Sequence, residues 1–269
     1  MEAVTTLGVV CWPQVPPERL REVAVAADDA GLDELWLWED CFWGGAVPAC
    51  AAVLGWTSRL AVGIGVLPVP LRNVVTAAMD TAMLARLFPG RVTMGIGHGV
   101  QSWMKQAGAA AESPVTLLRE YLTAMRALLR GETVTVDGRY VSLDAVTLQW
   151  PSAEPVPVLS AAAGPRTMRL TGEAADGTIL TSGYGLAEVA KARGLIDEGR
   201  ARAGRTDAHQ LVVYVGVGTL DAATVAAGIR AVAEAGVSSV VLHPSEEAAR
   251  DIDPVDLVRF AAEEIRPRL

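Results

Sequence analysis

Cysteine is scarce in this chain: three residues, Cys11, Cys41 and Cys50, among 269. Their odd number and their spacing fit neither a disulfide framework nor a zinc site, which leaves free thiols in a reducing cytoplasm as the expectation. Basic residues are also short. Lys and Arg total 23 against 31 Asp and Glu, a net charge of −8. A nucleic-acid surface would need a basic face, so no nucleic-acid partner is expected. No apolar run is long enough to cross a membrane. The longest uncharged stretch, Cys41 on to Ser58, is interrupted by Gly44, Gly45, Pro48 and Gly55. The first residues lack a basic segment leading into an apolar one, so no secretory leader is expected. No linker-like segment and no internal repeat is visible, and one domain over residues 1–269 is expected.

What is abundant is apolar surface, 51% of residues, enough for a sizeable core. The segment Leu60–Asn73 is the most informative. It reads as a strand buried on both faces, ending in glycine and then a proline-rich loop with Arg72. Gly63 and Gly65 either leave bare backbone for a flat ligand or are small for packing alone.

Around it the pattern alternates. Leu7–Cys11, Leu35–Trp38, Leu60–Val66, Arg91–Gly97, Val156–Ser160, Gly177–Thr181, Leu211–Val217 and Ser239–His243 read as strands. Pro17–Gly31, Ala46–Trp56, Asn73–Leu87, Ser113–Arg130, Arg166–Ala175, Leu186–Ala203, Ala222–Ala235 and Val255–Ile265 read as helices. Ser113 and Asn73 are expected N-caps and Gly31 a C-terminal cap. Val134–Val141, with Asp137-Gly138 at its centre, reads as a surface hairpin. Eight strand–helix pairs predict a closed (β/α)8 barrel with a hairpin excursion after the fourth helix, against an open doubly wound sheet as competitor.

A barrel carries its chemistry on the loops after its strands. Here those loops hold Trp38-Glu39-Asp40-Cys41-Phe42-Trp43, Gly65-Val66-Leu67-Pro68 with Arg72, Gly97-His98-Gly99, Ala163-Gly164-Pro165-Arg166 and Ser182-Gly183-Tyr184. Asp176 precedes its strand and should be structural, at the opposite face. Gly95-Ile96-Gly97-His98-Gly99 is not the dinucleotide fingerprint, because its third glycine falls one place early. Gly164-Pro165-Arg166 opens a helix whose N–H groups and dipole favour an anion, with Arg166 as a charged fork; an ordinary capped helix is the alternative.

With these pieces in order, together with Gly31–Asp40, Val62–Val66, Leu87–Arg91, Gly131–Tyr140 and Ala175-Asp176-Gly177, the chain resembles the bacterial luciferase-like monooxygenase superfamily. Within it, the branch that uses the deazaflavin coenzyme F420 is the most similar. The resemblance implies an F420-dependent oxidoreductase passing a hydride between the cofactor and a small organic substrate, with FMN and molecular oxygen as the alternative. A barrel that binds such a cofactor without turnover is a further alternative. So is a phosphosugar-type enzyme with its phosphate near His243-Pro244-Ser245. The resemblance also implies a non-prolyl cis peptide at Gly65–Val66 behind the central ring. It implies cofactor contacts from Gly97, His98, Gly99 and Ala163, a phosphate loop at Gly164, Pro165 and Arg166, and Ser182 beside it. A homodimer is expected, and no metal.

His98 either bonds the ring or substrate, its ordinary pKa suiting proton exchange near neutrality, or is a loop residue without a chemical role. F420-dependent members often carry Asp-His where this chain has Glu39-Asp40, so the histidine role is not carried over. Glu39, in an apolar rim, is expected either to donate a proton or only to hydrogen-bond. Trp38, Trp43, Arg72 and Tyr184 complete the expected substrate pocket, and Trp36 is expected in the core.

Overall fold

The computed structural model describes residues 6–181 and 183–269. Its strands are β1 (Thr6–Cys11), β2 (Glu34–Leu37), β3 (Ala61–Pro68), β4 (Val92–Gly97), β5 (Val134–Asp137), β6 (Ser142–Val146), β7 (Val158–Ala161), β8 (Gly177–Leu180), β9 (Gln210–Val217) and β10 (Ser239–Pro244). Its helices are α1 (Leu20–Asp29), α2 (Ala46–Trp56), α3 (Val74–Leu87), α4 (Gln101–Gln106), α5 (Pro114–Leu129), α6 (Pro165–Ala174), α7 (Leu186–Arg202), α8 (Ala222–Ala233) and α9 (Pro254–Arg259). All strands but β5 and β6 run parallel in one closed sheet, ordered β1-β2-β3-β4-β7-β8-β9-β10. Closure is explicit: β1 pairs with β2 through Gly8 and Glu34, and with β10 through Thr6 and Ser239. Each of the eight strands has two neighbours, whereas an open sheet leaves two edge strands with one neighbour each, so that competitor is removed.

The closed end of the barrel is plugged by a polar knot. The Glu34 carboxylate accepts from Thr6 Oγ1 (3.0 Å), Trp36 Nε1 (2.8 Å) and Ser239 Oγ (2.7 Å). Those bonds fix the Trp36 indole, 1% exposed, across the interior. A methyl group added at Gly63 would fall inside that indole. Gly63 is therefore small for packing. The flat group against its backbone is a side chain of this protein, which corrects the ligand reading of that glycine. Asp176 sits at the same end, where it accepts from Arg126 Nε (3.1 Å) and the Val158 N–H (3.0 Å).

The helical caps follow local chemistry. Asn73 accepts from the Val75 N–H (2.9 Å), and Gly31 takes φ +71° after α1. Ser113 departs from its expected role: its hydroxyl bonds the Thr116 hydroxyl (2.7 Å) instead of a backbone N–H. The hairpin turn is longer than the Asp-Gly signal implies, because Asp137 pairs with Ser142. Glu120 on α5 accepts from the N–H groups of Arg139 (3.1 Å), Tyr140 (2.8 Å) and Val141 (3.0 Å) and so holds a wider loop. The last helix starts at Pro254 and widens into a π-helical turn, Phe260–Ile265. α4 is an addition that the apolar periodicity does not announce. Among the described residues no helix is long and apolar enough to cross a membrane.

Candidate active site

Six strands, β2, β3, β4, β7, β8 and β9, or the loops after them, contribute to a cleft of about 400 Å³ at the open mouth of the barrel. From β3 come Gly65, Val66 and Pro68, where the pairing with β4 slips between Ile64 and Leu67 and the strand bulges. The Gly65–Val66 peptide is cis, as is Cys41–Phe42. Beneath the bulge the Tyr214 hydroxyl of β9 donates to the Gly65 carbonyl (3.3 Å), and burial raises that phenol far above its usual range. Gly65 is thus hemmed from below by Tyr214 and Trp36 and open only toward the cleft.

From β4 come Gly97, His98 and Gly99, with Gly99 at φ +70°. The His98 Nδ1 lies 3.0 Å from the Gly99 carbonyl. A carbonyl only accepts, so Nδ1 carries the proton and Nε2 is left as the ring's free nitrogen. From β7 come Ala161, Ala162 and Ala163, the last one residue before Gly164, which precedes α6. Gly164 and Arg166 lie just outside the cleft wall. Arg166 is exposed and bonds no other described residue, and nothing stands within 4 Å of the Gly164 Cβ position. Pro165 occupies the first turn of α6, where its missing N–H costs nothing. Ser182 lies outside the described residues.

The acidic pair after β2 divides. The Glu39 carboxylate accepts from both terminal nitrogens of Arg72 (Nη2 at 2.9 Å) and from the Ala46 N–H (2.7 Å) that opens α2. These three bonds anchor the loop, which favours the hydrogen-bonding alternative for Glu39 over the proton-donor one. Arg72 is correspondingly tied up and lines a neighbouring hollow in place of the cleft. Asp40 lies in the cleft wall with no hydrogen bond or ion pair from its carboxyl among the described residues, and burial pushes its pKa up.

Of the expected pocket residues, Trp38 lines the cleft, its indole beside the Tyr214 ring (centroids 5.5 Å) and interacting with that phenol's hydroxyl. Trp43 points away, 60% exposed. Tyr184 lies outside the wall, its hydroxyl donating to the Ala163 carbonyl (3.4 Å). Sequence reasoning passed over Trp103, Tyr214 and Thr181, all of which line the cleft. Trp103 and Val100 come with the short helix α4, whose only signal is buried Met104 beside Trp103. Tyr214 is a lone phenol in an apolar strand. No group of three or more His, Cys, Asp or Glu able to hold a metal occurs among the described residues.

The glycine-backed cleft fits a flat ring. Its walls are apolar, and the main chain of Gly65, Gly97 and Gly99 lines it, although the space a Cβ would take at those glycines is filled by Tyr214, Val66 and Met104.

The model of the luciferase-like monooxygenase family matches residues 5–251. A 5,10-methylenetetrahydromethanopterin reductase from Methanolobus tindarius is 28% identical over 180 residues, 66% of this chain and 55% of that protein. An F420-dependent glucose-6-phosphate dehydrogenase from Kineococcus radiotolerans is 35% identical over 188 residues, 64% of this chain and 55% of that protein. The chain thus spans little more than half the length of these curated relatives. Among solved structures, the coenzyme F420-dependent tetrahydromethanopterin reductase of Methanopyrus kandleri superposes with a TM-score of 0.85 at 18% identity, covering 98% of this chain and 99% of that one.

Proposed function

The chain belongs to the luciferase-like monooxygenase family, and from that premise we propose that it is an F420-dependent oxidoreductase acting on a small organic molecule. The observation that carries the reading is the join of the two halves of a cofactor site. An apolar cleft floored by the Gly65–Val66 bulge runs, through Ala163, to the start of α6 with its unpaired Arg166. The names of the relatives, one of them an F420-dependent dehydrogenase, support the same cofactor.

When bound, the deazaflavin supplies or accepts a hydride at its central ring. The residues of this chain do the rest. The main chain of Gly65, Val66, Gly97 and Gly99 lines the face on which the ring would lie. The His98 Nε2 is available to polar atoms at its edge. The first free N–H groups of α6 and the Arg166 guanidinium hold a phosphate. Apolar walls exclude water from the reacting face.

Equilibrium binding of F420 against FMN, followed by oxygen uptake with each reduced cofactor, tests the reading. F420 should bind at least about tenfold tighter, equivalent to about 1.4 kcal/mol, and no oxygen should be consumed. Tighter FMN binding with oxygen uptake would overturn it. F420 binding without hydride transfer to any substrate would convert the chain to a carrier.

The three free thiols accord with a reducing compartment, the cytoplasm. A homodimer belongs to the same proposal. α2 has no charged residue along its length, and α3 exposes Met79, Met83 and Leu87 in one stripe. An uncharged apolar face is self-complementary about a twofold axis. Light scattering should give a dimer and Met83→Asp a monomer; a wild-type monomer at micromolar concentration would remove this part.

A further inference from the structure

One buried hydroxyl stands under the floor of the cleft. Where the pairing of β3 with β4 slips, Gly65 and Val66 together face Gly95. Both are half-buried, between the fully buried Ile64 and Leu67, and they stand up as a ridge in the cleft. Glycines on β4 make lateral room for that ridge. A methyl added at Gly97 would fall 2.9 Å from the Val66 side chain, and one at Gly95 would fall 2.3 Å from the Ile64 carbonyl oxygen. On the other side β2 gives no support, because its pairing with β3 ends at Leu37 and Ile64.

Support comes from the far wall. In the closed sheet β9 stands four strands from β3 in either direction. Tyr214 of β9 therefore reaches across the full width of the barrel to donate to the Gly65 carbonyl (3.3 Å). Glycine at position 65 is what admits the phenol: a methyl there would fall 1.9 Å from the Tyr214 oxygen. The phenol has no room to swing aside. Trp36 meets its ring edge-on at 5.9 Å, Trp38 lies at 5.5 Å and His243 at 6.4 Å. Trp36 is held in turn by Glu34. Burial keeps the phenol protonated, so it stays a donor. A fixed chain of Glu34, Trp36, Tyr214 and Gly65 thus runs from the closed end of the barrel to the floor of the cleft.

We propose that Tyr214 is a positioning residue: its hydroxyl sets the height of the Gly65–Val66 ridge under the cofactor ring, and with it the ring shape that the site favours. This inference rests on the cofactor reading above. A ring bent over a ridge meets it along its whole face, whereas a planar ring touches only the crest. The planar oxidised ring and the puckered reduced ring therefore feel the ridge differently. A site shifts an equilibrium only by its difference in affinity for the two states, so the height of the ridge biases the bound redox pair. Productive geometry is held by the groups packed behind the contacting ones. Without the hydroxyl the Gly65 carbonyl loses its partner and the ridge is free to sink toward the barrel interior. Tyr214 acts through that carbonyl and transfers no proton.

The test compares the wild type with Tyr214→Phe and Tyr121→Phe. Tyr121 is the control: a buried phenol whose hydroxyl also donates to a main-chain carbonyl, that of Asn73 (3.5 Å), outside the cleft. Loss of stability common to both variants in urea unfolding is the structural part. Hydrogen exchange on the cofactor-free chain reads the ridge itself. The amides of Gly65, Val66 and Leu67 should exchange at least about tenfold faster in Tyr214→Phe and at the wild-type rate in Tyr121→Phe. Anaerobic titration with oxidised and with reduced F420 then gives the ratio of the two affinities. Tyr214→Phe should change that ratio at least about fivefold, and Tyr121→Phe less than about twofold. Unchanged exchange in Tyr214→Phe would overturn the proposal. So would faster exchange with an unchanged ratio, which would leave Tyr214 a structural residue alone. A chain that binds FMN in place of F420 is titrated with oxidised and reduced FMN; that result overturns the F420 reading, and the FMN ratio decides the role of Tyr214. Binding of neither ring overturns both.

Discussion

Removing the Glu39 carboxylate separates an anchor from a catalyst. The Glu39 side chain is 9% exposed and that of Arg72 23%, and two guanidinium nitrogens engage it. Breaking a fully buried pair from one side costs about 3–5 kcal/mol, and an exposed pair is worth about 0–1 kcal/mol. This pair lies between, nearer the buried limit. Glu39 also accepts the Ala46 N–H at the start of α2, where the N-cap is Gly45 with no side chain of its own. A distant carboxylate therefore does a cap's work, worth about 1 kcal/mol. Glu39→Ala should destabilise the protein by about 2–4 kcal/mol and Arg72→Ala by about 1–3 kcal/mol. The coupling between them in a double-mutant cycle, read from urea unfolding, should be about 1–2 kcal/mol. The control is Arg139 with Glu112, side chains 53% and 84% exposed, whose coupling should stay within about 0.5 kcal/mol. A Glu39–Arg72 coupling no larger than that control would refute the anchoring argument.

Gly63→Ala should cost about 1–3 kcal/mol in the same unfolding assay, because the added methyl overpacks an indole that Glu34 prevents from sliding; a change under about 0.5 kcal/mol would show that the indole yields. His209, held down to about 4 by burial and then by Arg200 and Arg205, stays neutral in the folded chain while an unfolded histidine protonates near 6.5. Its contribution is intact above about pH 6.5 and is lost as pH falls to about 4, on the order of 2–3 kcal/mol in total. Unfolding of His209→Gln should show that much less pH dependence over this window, and an unchanged slope would discard the assignment. Arg166→Ala should weaken F420 binding by about 1.5–3 kcal/mol if its guanidinium holds the phosphate, read by fluorescence titration; equal affinity would take Arg166 out of the site.

The barrel was legible because its signals are local and repeated. Each strand is an apolar run of β-formers, and each long helix has a 3.6-residue stripe such as Leu118, Tyr121, Leu122 and Met125 on α5, all buried. The rim was legible at one remove, since strand ends name the loops. What periodicity could not reach were features set by contacts distant in sequence. α4 is too short for a stripe. The hairpin turn is widened by Glu120, nineteen residues or more before the amides it binds. Tyr214 enters the cleft only because β9 comes to lie across the barrel from Gly65. Gly63 was ambiguous for the same reason: whether bare backbone faces a ligand or an indole depends on where Trp36 points.

Glu39 and Asp40 make the point sharpest. They are neighbours of like chemistry on one loop, and local reasoning ranks the first as the acid. The loop after β3 carries Arg72, 33 residues on, to Glu39 and leaves Asp40 without a counter-charge. A carboxylate with a bidentate partner holds a loop; an unpaired carboxyl in an apolar wall meets the cost of burial with nothing to offset it, and its pKa rises. Division of the pair thus turns an ambiguity in the sequence into two roles, and the two substitutions should part accordingly. Glu39→Ala should lower stability through α2 and the Arg72 pairing, and Asp40→Asn, which replaces a buried carboxyl that has no counter-charge by a neutral amide, should leave stability within about 0.5 kcal/mol of the wild type or raise it, both read from urea unfolding at neutral pH.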